Sequence, residues 1–297
     1  MGKLAAERLK DMIVSRLIGG IGNQMFQFAA GRALALRLGV PFQIDRRAFS
    51  DYHTHAFGLT CFDIELADAS PQQLPNPPAE GRIQKLLRKV MPTRLTVYTE
   101  RSFTFDEQVL DLPDDTYLDG YWQTEKYFSD FADTIRADFT VVRTPSAANQ
   151  RWLEQITNTH SVSLHVRRGD YVTNASAAAV HGTCDLDYYE RAVKHIRDTT
   201  ETDPVVYVFS DDPDWVAQNL KLPYAMHLVR DNNAATNYED LRLMTACRHH
   251  VIANSSFSWW GAWLDGRTSS ITVAPDRWFA AGTPDARDLL PQRWIRL

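Results

Sequence analysis

The 297-residue sequence predicts an α/β protein made of two doubly wound domains. Apolar strand-like runs alternate with helical patterns through most of the chain, and glycine- or arginine-containing turns follow several of these runs. The length exceeds that of one average domain, so two domains of about 150 residues are the natural expectation. We place the first domain at residues 12–145 and the second at 150–297, and leave open that the last helix packs back on the first domain.

The first domain opens with a strand, a glycine turn and a helix. Met12 to Ile18 is the strand candidate, and Gly19-Gly20-Ile21-Gly22 follows it. From Asn23 to Leu38 apolar residues recur at helical spacing, and Gly39 ends the predicted helix. Val40 to Ile44 then begins a second strand. A strand–turn–helix–strand unit of this kind is typical of the start of a doubly wound domain.

A proline-rich loop and a short basic helix interrupt this domain. Ser70 to Gly81 carries four prolines and predicts an exposed, extended loop. Arg82 to Val90 has a basic amphipathic pattern, which fits either contact with anionic lipid headgroups or a solvated helix lying on the domain. Its short length favours the solvated helix.

The second domain contains four strand-like runs separated by helical or loop segments. The runs are Ser161 to His165, Val205 to Phe209, His250 to Ala253 and Ile271 to Val273. Leu186 to Asp198 and Tyr238 to Cys247 are the helical segments between the first three runs. Strands that alternate with helices indicate a parallel sheet. The aromatic segment Phe257 to Trp263 is interpreted as a packing helix.

Composition excludes several classes of protein. Hydrophobic residues make up 44% and charged residues 23%, as in ordinary globular proteins, and the net charge of −5 does not favour binding to nucleic acid or membranes. Any anion site must therefore be built locally from a few arginines. Cys61, Cys184 and Cys247 are far apart and show no zinc-site spacing, which fits a reduced cytoplasmic compartment. Met1 to Asp11 lacks the apolar core of a signal peptide, and no apolar run is long enough to cross a bilayer.

Two arginines follow the first strand of the second domain, in the segment His165-Val166-Arg167-Arg168-Gly169-Asp170. Guanidinium groups are planar, permanently charged and forked, which suits bidentate contact with phosphate oxygens. Ligands bind open α/β sheets at the carboxyl ends of the strands. The segment therefore predicts a site for a phosphorylated ligand. The alternative is a surface turn in which arginine and aspartate pair with each other.

Polar residues also follow the next strands. Ser210-Asp211-Asp212 comes after one, and Asn254-Ser255-Ser256 comes after another, at the predicted start of a helix. Free N–H groups and the helix dipole favour an anion there, although ordinary N-capping by serine is the alternative. Asp212 and Asp214 form an Asp-x-Asp pattern that can hold a divalent cation on a diphosphate. Because arginines and a helix terminus already neutralise such a ligand, we expect no metal.

Two further features bear on a nucleotide. The Asp240 carboxylate can accept hydrogen bonds from N1–H and the amine of guanine, with His165 completing the base or ribose contacts; a solvated helix residue is the alternative. The Gly19 to Gly22 turn resembles a dinucleotide fingerprint, but Met25 stands at the third glycine position. A dehydrogenase therefore remains an alternative. Otherwise these glycines allow the backbone and Asn23 to approach a bulky ligand.

Five segments together resemble the alpha-1,2-fucosyltransferases of glycosyltransferase family eleven. They occur in the order Gly20 to Gln27, Gly120 to Phe128, His165 to Tyr171, Phe209 to Asp212 and Asn254 to Gly261. The resemblance extends from about Met12 to near the C-terminus. It implies a GT-B fold, in which two Rossmann-like domains face each other and the active site lies in the cleft.

The resemblance also implies metal-independent, inverting use of GDP-β-L-fucose as donor substrate, with no cofactor. Arg167 would bind the β-phosphate and stabilise departing GDP, and His165 and Asp240 would hold guanosine. The remaining candidates for donor binding are Arg168, Asp211, Asp212, Asn254, Ser255, Ser256 and Gly22. Arg168 ranks below Arg167, because it is also placed to pair with Asp170.

The acceptor implied by the resemblance is the 2-hydroxyl of a β-galactoside glycan, either free or lipid-linked. Asn23, Asp170 and Glu125 are the candidates for the general base, and Tyr121, Gln123 and Glu125 are candidates for the acceptor side. We expect at most peripheral contact with the inner membrane face. The alternatives from other classes are an NAD-dependent oxidoreductase and a non-catalytic glycan-binding protein.

Overall fold

The computed structural model describes residues 11–50, 55–75, 95–169, 182–279 and 285–297. Asp170 and the predicted basic helix at 82–90 lie outside these described residues. The chain divides into two compact units between Ile135 and Arg136, except that Cys61–Asp63 belong to the second unit. The predicted domain boundaries, 12–145 and 150–297, stay predictions.

Unit 1 contains a four-stranded parallel sheet. Its elements are β1 (Ile13–Arg16), α1 (Ile21–Leu38), β2 (Phe42–Asp45), β3 (Thr96–Thr99) and β4 (Thr116–Asp119), with short 3-10 helices at Arg47–Ser50, Leu59–Cys61, Glu107–Asp111, Glu125–Tyr127 and Ser129–Phe131. The strand order is β2-β1-β4-β3. Strands β1 and β4 pair at the middle of this sheet, so the segments that follow them leave its carboxyl edge side by side.

Helix α1 packs closely on this sheet, because Gly31 has no side chain. A Cβ at Gly31 would collide with Ser15 Oγ and lie 2.5 Å from the Phe42 ring. Gly39 ends the helix in the left-handed conformation, with φ of 69°, as the sequence predicted.

Unit 2 contains a six-stranded parallel sheet. Helix α2 (Ala132–Asp138) spans the division, and the following elements are α3 (Ala147–Thr157), β5 (Ser161–Val166), α4 (Leu186–Thr200), β6 (Val205–Ser210), α5 (Pro213–Asn219), β7 (Ala225–Leu228), α6 (Asn237–Ala246), β8 (His249–Val251), α7 (Ser256–Trp263), β9 (Thr272–Ala274) and β10 (Ile295–Arg296). The strand order, β10-β9-β8-β5-β6-β7, is that of a doubly wound sheet, with its switch point between β5 and β8. Both predicted parallel sheets are confirmed.

The core of unit 2 explains its aromatic helix. Trp259, Trp260 and Trp263 of α7 are all buried, with ring centroids 5.0 to 5.9 Å apart. Trp259 also donates from Nε1 to the Leu289 carbonyl at 3.0 Å. The interpretation of this segment as packing is confirmed. Along the described stretches of chain, no helix has the length and apolar character needed to span a bilayer.

Candidate active site

The switch point of unit 2 brings the predicted strand-end residues together. Strand β5 lies between β6 and β8, with Val166 opposite Ser210 and Leu164 opposite Val251. The segments that follow these strands therefore leave the same edge of the sheet side by side. The His165 ring lies 5.9 Å from the ring of Phe257, which is in the first turn of α7. The arginine segment and the N-terminus of α7 thus belong to one site.

The two arginines after β5 pair with the two aspartates after β6. Arg167 Nη1 lies 2.9 Å from Asp211 Oδ2, and the backbone N–H of Arg168 donates to Asp211 Oδ1 at 2.9 Å. Arg168 Nε lies 3.4 Å from Asp212 Oδ2, and its guanidinium lies 3.6 Å from the centre of the Trp215 ring. The carboxylates therefore orient the guanidinium groups from a neighbouring strand.

Local hydrogen bonds fix the turn after β6. Ser210 Oγ donates to the Val166 carbonyl at 2.8 Å and accepts from the Asp212 N–H at 3.0 Å. Asp212 also caps α5, since its Oδ1 accepts from the Trp215 N–H at 3.2 Å. Gly169 lets Asp211 approach, because a Cβ there would lie 2.5 Å from Asp211 Oδ2. The directions of the Asp211 and Asp212 side chains thus depend on Ser210, on the space left by Gly169 and on the capping bond that Asp212 makes to α5.

The Asp-x-Asp patterns have other partners. Asp212 pairs with Arg168 and Asp214 with Arg230, at 3.4 and 2.6 Å. A second Asp-x-Asp pattern, Asp185 and Asp187, lies at the start of α4, where Asp185 caps the helix by accepting from the Tyr188 N–H at 2.7 Å. Within the described ranges, no three His, Cys, Asp or Glu side chains are grouped so that they could hold a metal ion. Metal-independent catalysis stays a prediction.

His165 carries an unsatisfied polar atom at the centre of this site. The residue is 5% exposed, and its Nδ1 has no hydrogen-bond partner among the described residues. Burial lowers the pKa of His165 to about 4; the Asp211 carboxylate opposes this shift, and the Arg167 charge adds to it. The imidazole is therefore neutral at pH 7. A buried polar atom without a partner, beside two arginines, is typical of a ligand contact.

The residues after β8 form two parts: Asn254 connects loops of unit 2, and Ser255 and Ser256 form a partly buried start of α7. Asn254 donates to the carbonyls of Gly182 and Trp278 at 3.3 and 3.2 Å, so its side chain ties loops of unit 2 together. Ser255 precedes α7 and makes no side-chain capping bond. The N-capping alternative is thus wrong for Ser255, and Ser256 begins the helix. The first N–H groups of α7 have no partner within the helix.

Asp240 lies in the first turn of α6, which follows β7 to the same edge of the sheet. Its Oδ1 accepts a hydrogen bond from Asn232 Nδ2 at 2.7 Å, and Asn232 is held in turn by Asn149 at 2.8 Å. Burial raises the pKa of Asp240 to about 6, Asn232 opposes the shift, and the nearby acids Glu239 and Asp231 increase it. Asp240 is therefore half-buried with a raised pKa, unlike the solvated helix residue that was the alternative, and its contact with guanosine stays a prediction.

Unit 1 brings other candidates together at the carboxyl ends of β1 and β4. Gln123 Nε2, beyond β4, donates to Asn23 Oδ1, beyond β1, at 2.8 Å. Gly19 has φ of +78°, and a Cβ there would lie 2.8 Å from Asn23 Nδ2. The glycine turn thus leaves room for the Asn23 amide, whereas the predicted approach of Asn23 to a bulky ligand stays a prediction. Gly22 is buried in the first turn of α1.

The other acceptor-side candidates, Tyr121 and Glu125, are two residues away from Gln123 in the sequence. The Tyr121 ring stacks on that of Phe103, with centroids 6.1 Å apart and planes 12° from parallel. Glu125 begins a 3-10 helix that Thr124 caps. Sequence reasoning missed Phe103, Trp215 and Glu100, which contacts the turn after β4. No motif marks these residues; only the fold brings Trp215 to Arg168 in unit 2, and Phe103 and Glu100 to the turn after β4 in unit 1.

A buried Ser–His–Asp chain elsewhere in unit 2 is structural. Ser163 Oγ lies 2.9 Å from His250 Nδ1, and His250 Nε2 lies 2.9 Å from Asp265 Oδ2. The His250 side chain is 0% and that of Asp265 3% exposed, so no substrate reaches them. The chain links β5, β8 and the segment after α7, and it does not indicate a hydrolase.

Comparisons with known proteins agree with this fold and site. The chain is a glycosyltransferase: it belongs to glycosyl transferase family 11, whose model matches residues 3–297. It is 31% identical to an alpha-1,2-colitosyltransferase of Escherichia coli, over 97% of this chain and 99% of that protein. It is 28% identical to the human galactoside alpha-(1,2)-fucosyltransferase 1, over 84% of this chain and 64% of that protein.

A solved structure shares the fold. A mutant of Arabidopsis thaliana FUT1 in complex with GDP aligns with a TM-score of 0.52 and 12% identity, over 95% of this chain and 74% of that one. The predicted GT-B class of α/β fold is confirmed. Facing domains with an active site in the cleft stay a prediction. Membership of a glycosyltransferase family leaves the oxidoreductase alternative without support.

Proposed function

We propose that this protein is an inverting, metal-independent alpha-1,2-fucosyltransferase. It moves L-fucose from GDP-β-L-fucose to the 2-hydroxyl of a β-galactoside. The observation that carries this proposal is the meeting of the Arg167–Arg168 segment with the N-terminus of α7 at the switch point of unit 2. Relatives named galactoside alpha-(1,2)-fucosyltransferase 1 support the choice of sugar, linkage and acceptor.

On the donor side, catalysis depends on stabilising the charge of departing GDP. The Arg167 fork, oriented by Asp211, contacts the β-phosphate. The first N–H groups of α7 donate hydrogen bonds to the phosphate oxygens on which negative charge develops. The C1–O bond to GDP breaks as an oxocarbenium-like centre forms, and the acceptor oxygen attacks the opposite face. These N–H donors are held in place before the reaction, so little reorganisation accompanies bond breaking.

Guanosine recognition falls to neutral His165 and to Asp240. The unsatisfied Nδ1 of His165 is available to the base or ribose. Asp240, with Asn232 fixing one carboxylate oxygen, accepts from N1–H and the exocyclic amine of guanine. Adenine does not present those two donors together, so this contact selects a guanine nucleotide.

On the acceptor side, we propose that Asn23 orients the reacting hydroxyl. A neutral amide accepts a hydrogen bond but does not take up a proton at neutral pH, so proton removal falls to another group. Glu125 and Asp170 are the carboxylates proposed for that role, and Asp170 lies outside the described residues. An Escherichia coli relative, 28% identical over 95% of this chain, is named O-antigen biosynthesis glycosyltransferase WbnK and supports a lipid-linked acceptor at the inner membrane face.

A second candidate donor sugar is colitose, favoured by the relative of 31% identity. Colitose is fucose without its 3-hydroxyl group. A site that hydrogen-bonds this hydroxyl rejects the analogue lacking it by several orders of magnitude, whereas an apolar site does not. The ratio of kcat/KM for the two GDP-sugars therefore decides between the candidates.

The test is transfer from GDP-L-fucose and from GDP-colitose to lactose, with the product linkage assigned by NMR. We expect an α-1,2-linked product, formed at an unchanged rate in EDTA. Activity lost in EDTA and restored by manganese would contradict metal independence. Binding of lactose without transfer from either donor would instead support a non-catalytic glycan-binding protein.

A further inference from the structure

The turn after β4 has an unusual backbone. Trp122 has φ of +57°, although it is 0% exposed and its ring packs against Tyr98 and Tyr127. Bulky L-residues rarely adopt this conformation, which brings Cβ close to the carbonyl oxygen. The Trp122 Nε1 also has no hydrogen-bond partner among the described residues. A strained turn of this kind persists only where its surroundings hold it.

Glu100 supplies that support. Its Oε2 accepts from the Tyr121 N–H at 2.6 Å and its Oε1 from the Trp122 N–H at 3.0 Å. Glu100 follows β3, which pairs with β4, so both segments leave the sheet together. Gly120 makes room for it, because a Cβ there would collide with Glu100 Cβ. One carboxylate therefore fixes two consecutive peptide groups of the turn.

The next residue of this turn reaches Asn23. Gln123 Nε2 donates to Asn23 Oδ1 at 2.8 Å, while Asn23 Nδ2 lies beside Gly19. The amide of Asn23 is thus oriented from two sides. Its direction depends on Gln123, and the position of Gln123 depends on the turn that Glu100 holds.

We infer that Glu100 is a positioning residue for the transfer reaction: it holds the turn at Tyr121 and Trp122 so that Gln123 orients the amide of Asn23 toward the acceptor. This inference rests on the proposed function, because it places Asn23 at the acceptor. Glu100 itself contacts the backbone of the turn and need not touch either substrate.

The experiment combines kinetics with NMR of side-chain amides. Glu100→Gln keeps the shape but brings a side-chain NH2 against one of the two backbone donors. Transfer from GDP-L-fucose to lactose is measured for Glu100→Gln, for Asn23→Ala and for the double variant. Side-chain NH2 signals of Asn23 and Gln123 are compared in the wild type and Glu100→Gln. Glu107→Gln, an exposed glutamate of the same unit, is the matched control.

We expect Glu100→Gln to lower kcat/KM for lactose by about tenfold or more and to leave GDP affinity unchanged in calorimetry, because all the donor candidates except Gly22 lie in unit 2. In the Asn23→Ala background, Glu100→Gln should change kcat/KM for lactose by less than about twofold. The NH2 signals of Asn23 and Gln123 should shift in Glu100→Gln and not in Glu107→Gln.

Three results would overturn the inference: unchanged transfer by Glu100→Gln, additive losses in the double variant, or unmoved NH2 signals. A purely structural role would give additive losses, since general loosening does not act through Asn23. Should the wild type transfer neither fucose nor colitose to lactose, the proposed function fails on its own. The NMR comparison then still decides whether Glu100 orients Asn23.

Discussion

Replacing Gly169 by alanine tests whether Asp211 holds Arg167 in its working position. The new Cβ would lie 2.5 Å from Asp211 Oδ2, about 0.9 Å inside an ordinary contact distance of 3.4 Å. The carboxylate must move by about that amount, and Oδ2 is the atom that pairs with Arg167 at 2.9 Å. The substitution therefore displaces the guanidinium without removing any charge.

The expected loss of stability is small and the expected loss of rate is large. The Arg167 and Asp211 side chains are 26% and 25% exposed, so their ion pair contributes about 1 kcal/mol or less. The hydrogen bond from the Arg168 N–H to Asp211 adds about 1 kcal/mol. Misplacing a charge-stabilising donor by about 1 Å, in contrast, lowers kcat by about 100-fold.

The assay compares kcat at saturating GDP-fucose and lactose with the melting temperature. Gly266→Ala is the matched control, because no heavy atom would lie closer than 3.4 Å to the new Cβ. It should change neither quantity. A normal kcat in Gly169→Ala would refute the reasoning. A melting temperature lowered by more than about 10 °C would show that Gly169 supports the fold rather than the arginine.

Three further predictions concern the donor site and the core of unit 1. Arg167→Lys keeps the charge but loses the fork, so kcat should fall about 100-fold or more in the same assay; near-normal turnover would remove Arg167 from the phosphate role. Because the Asp240 carboxylate must be ionised to accept from guanine and its pKa is about 6, GDP affinity should weaken below pH 6. Asp240→Asn is the calorimetric control for titration of the GDP phosphate, and it should lack this component. Gly31→Ala should destabilise unit 1 by about 3 kcal/mol, because the added methyl collides with Ser15 and the Phe42 ring; an unchanged thermal unfolding curve would contradict this.

Alternation of apolar runs and helices in the sequence was enough to predict both parallel sheets. The β5 and β6 runs are continuous and apolar because both faces of these strands are buried, and their ends could therefore be located within a residue or two. Parallel strands share one carboxyl edge, so it could also be predicted that the segments carrying Arg167, Asp211 and Ser256 leave the sheet at that edge. Strands β3, β4, β7 and β10 were not predicted. Strands β3 and β7 are largely exposed and lack that pattern, whereas β4 is buried but has four residues and β10 has two.

Pairings between distant residues could not be predicted in the same way. The Arg167–Asp211 and Gln123–Asn23 contacts depend on the exact register of neighbouring strands, which periodicity does not specify. The left-handed Trp122 carries no sequence signal either, since local preference disfavours it. Asp240 was recognised for its chemistry, but its perturbed pKa follows from burial, which only the fold provides.

Arg167 pairs with Asp211 and Arg168 pairs with Asp212, so these four side chains together carry no net charge. Long-range attraction therefore does little to speed the encounter with a diphosphate, and the association rate should vary little with ionic strength.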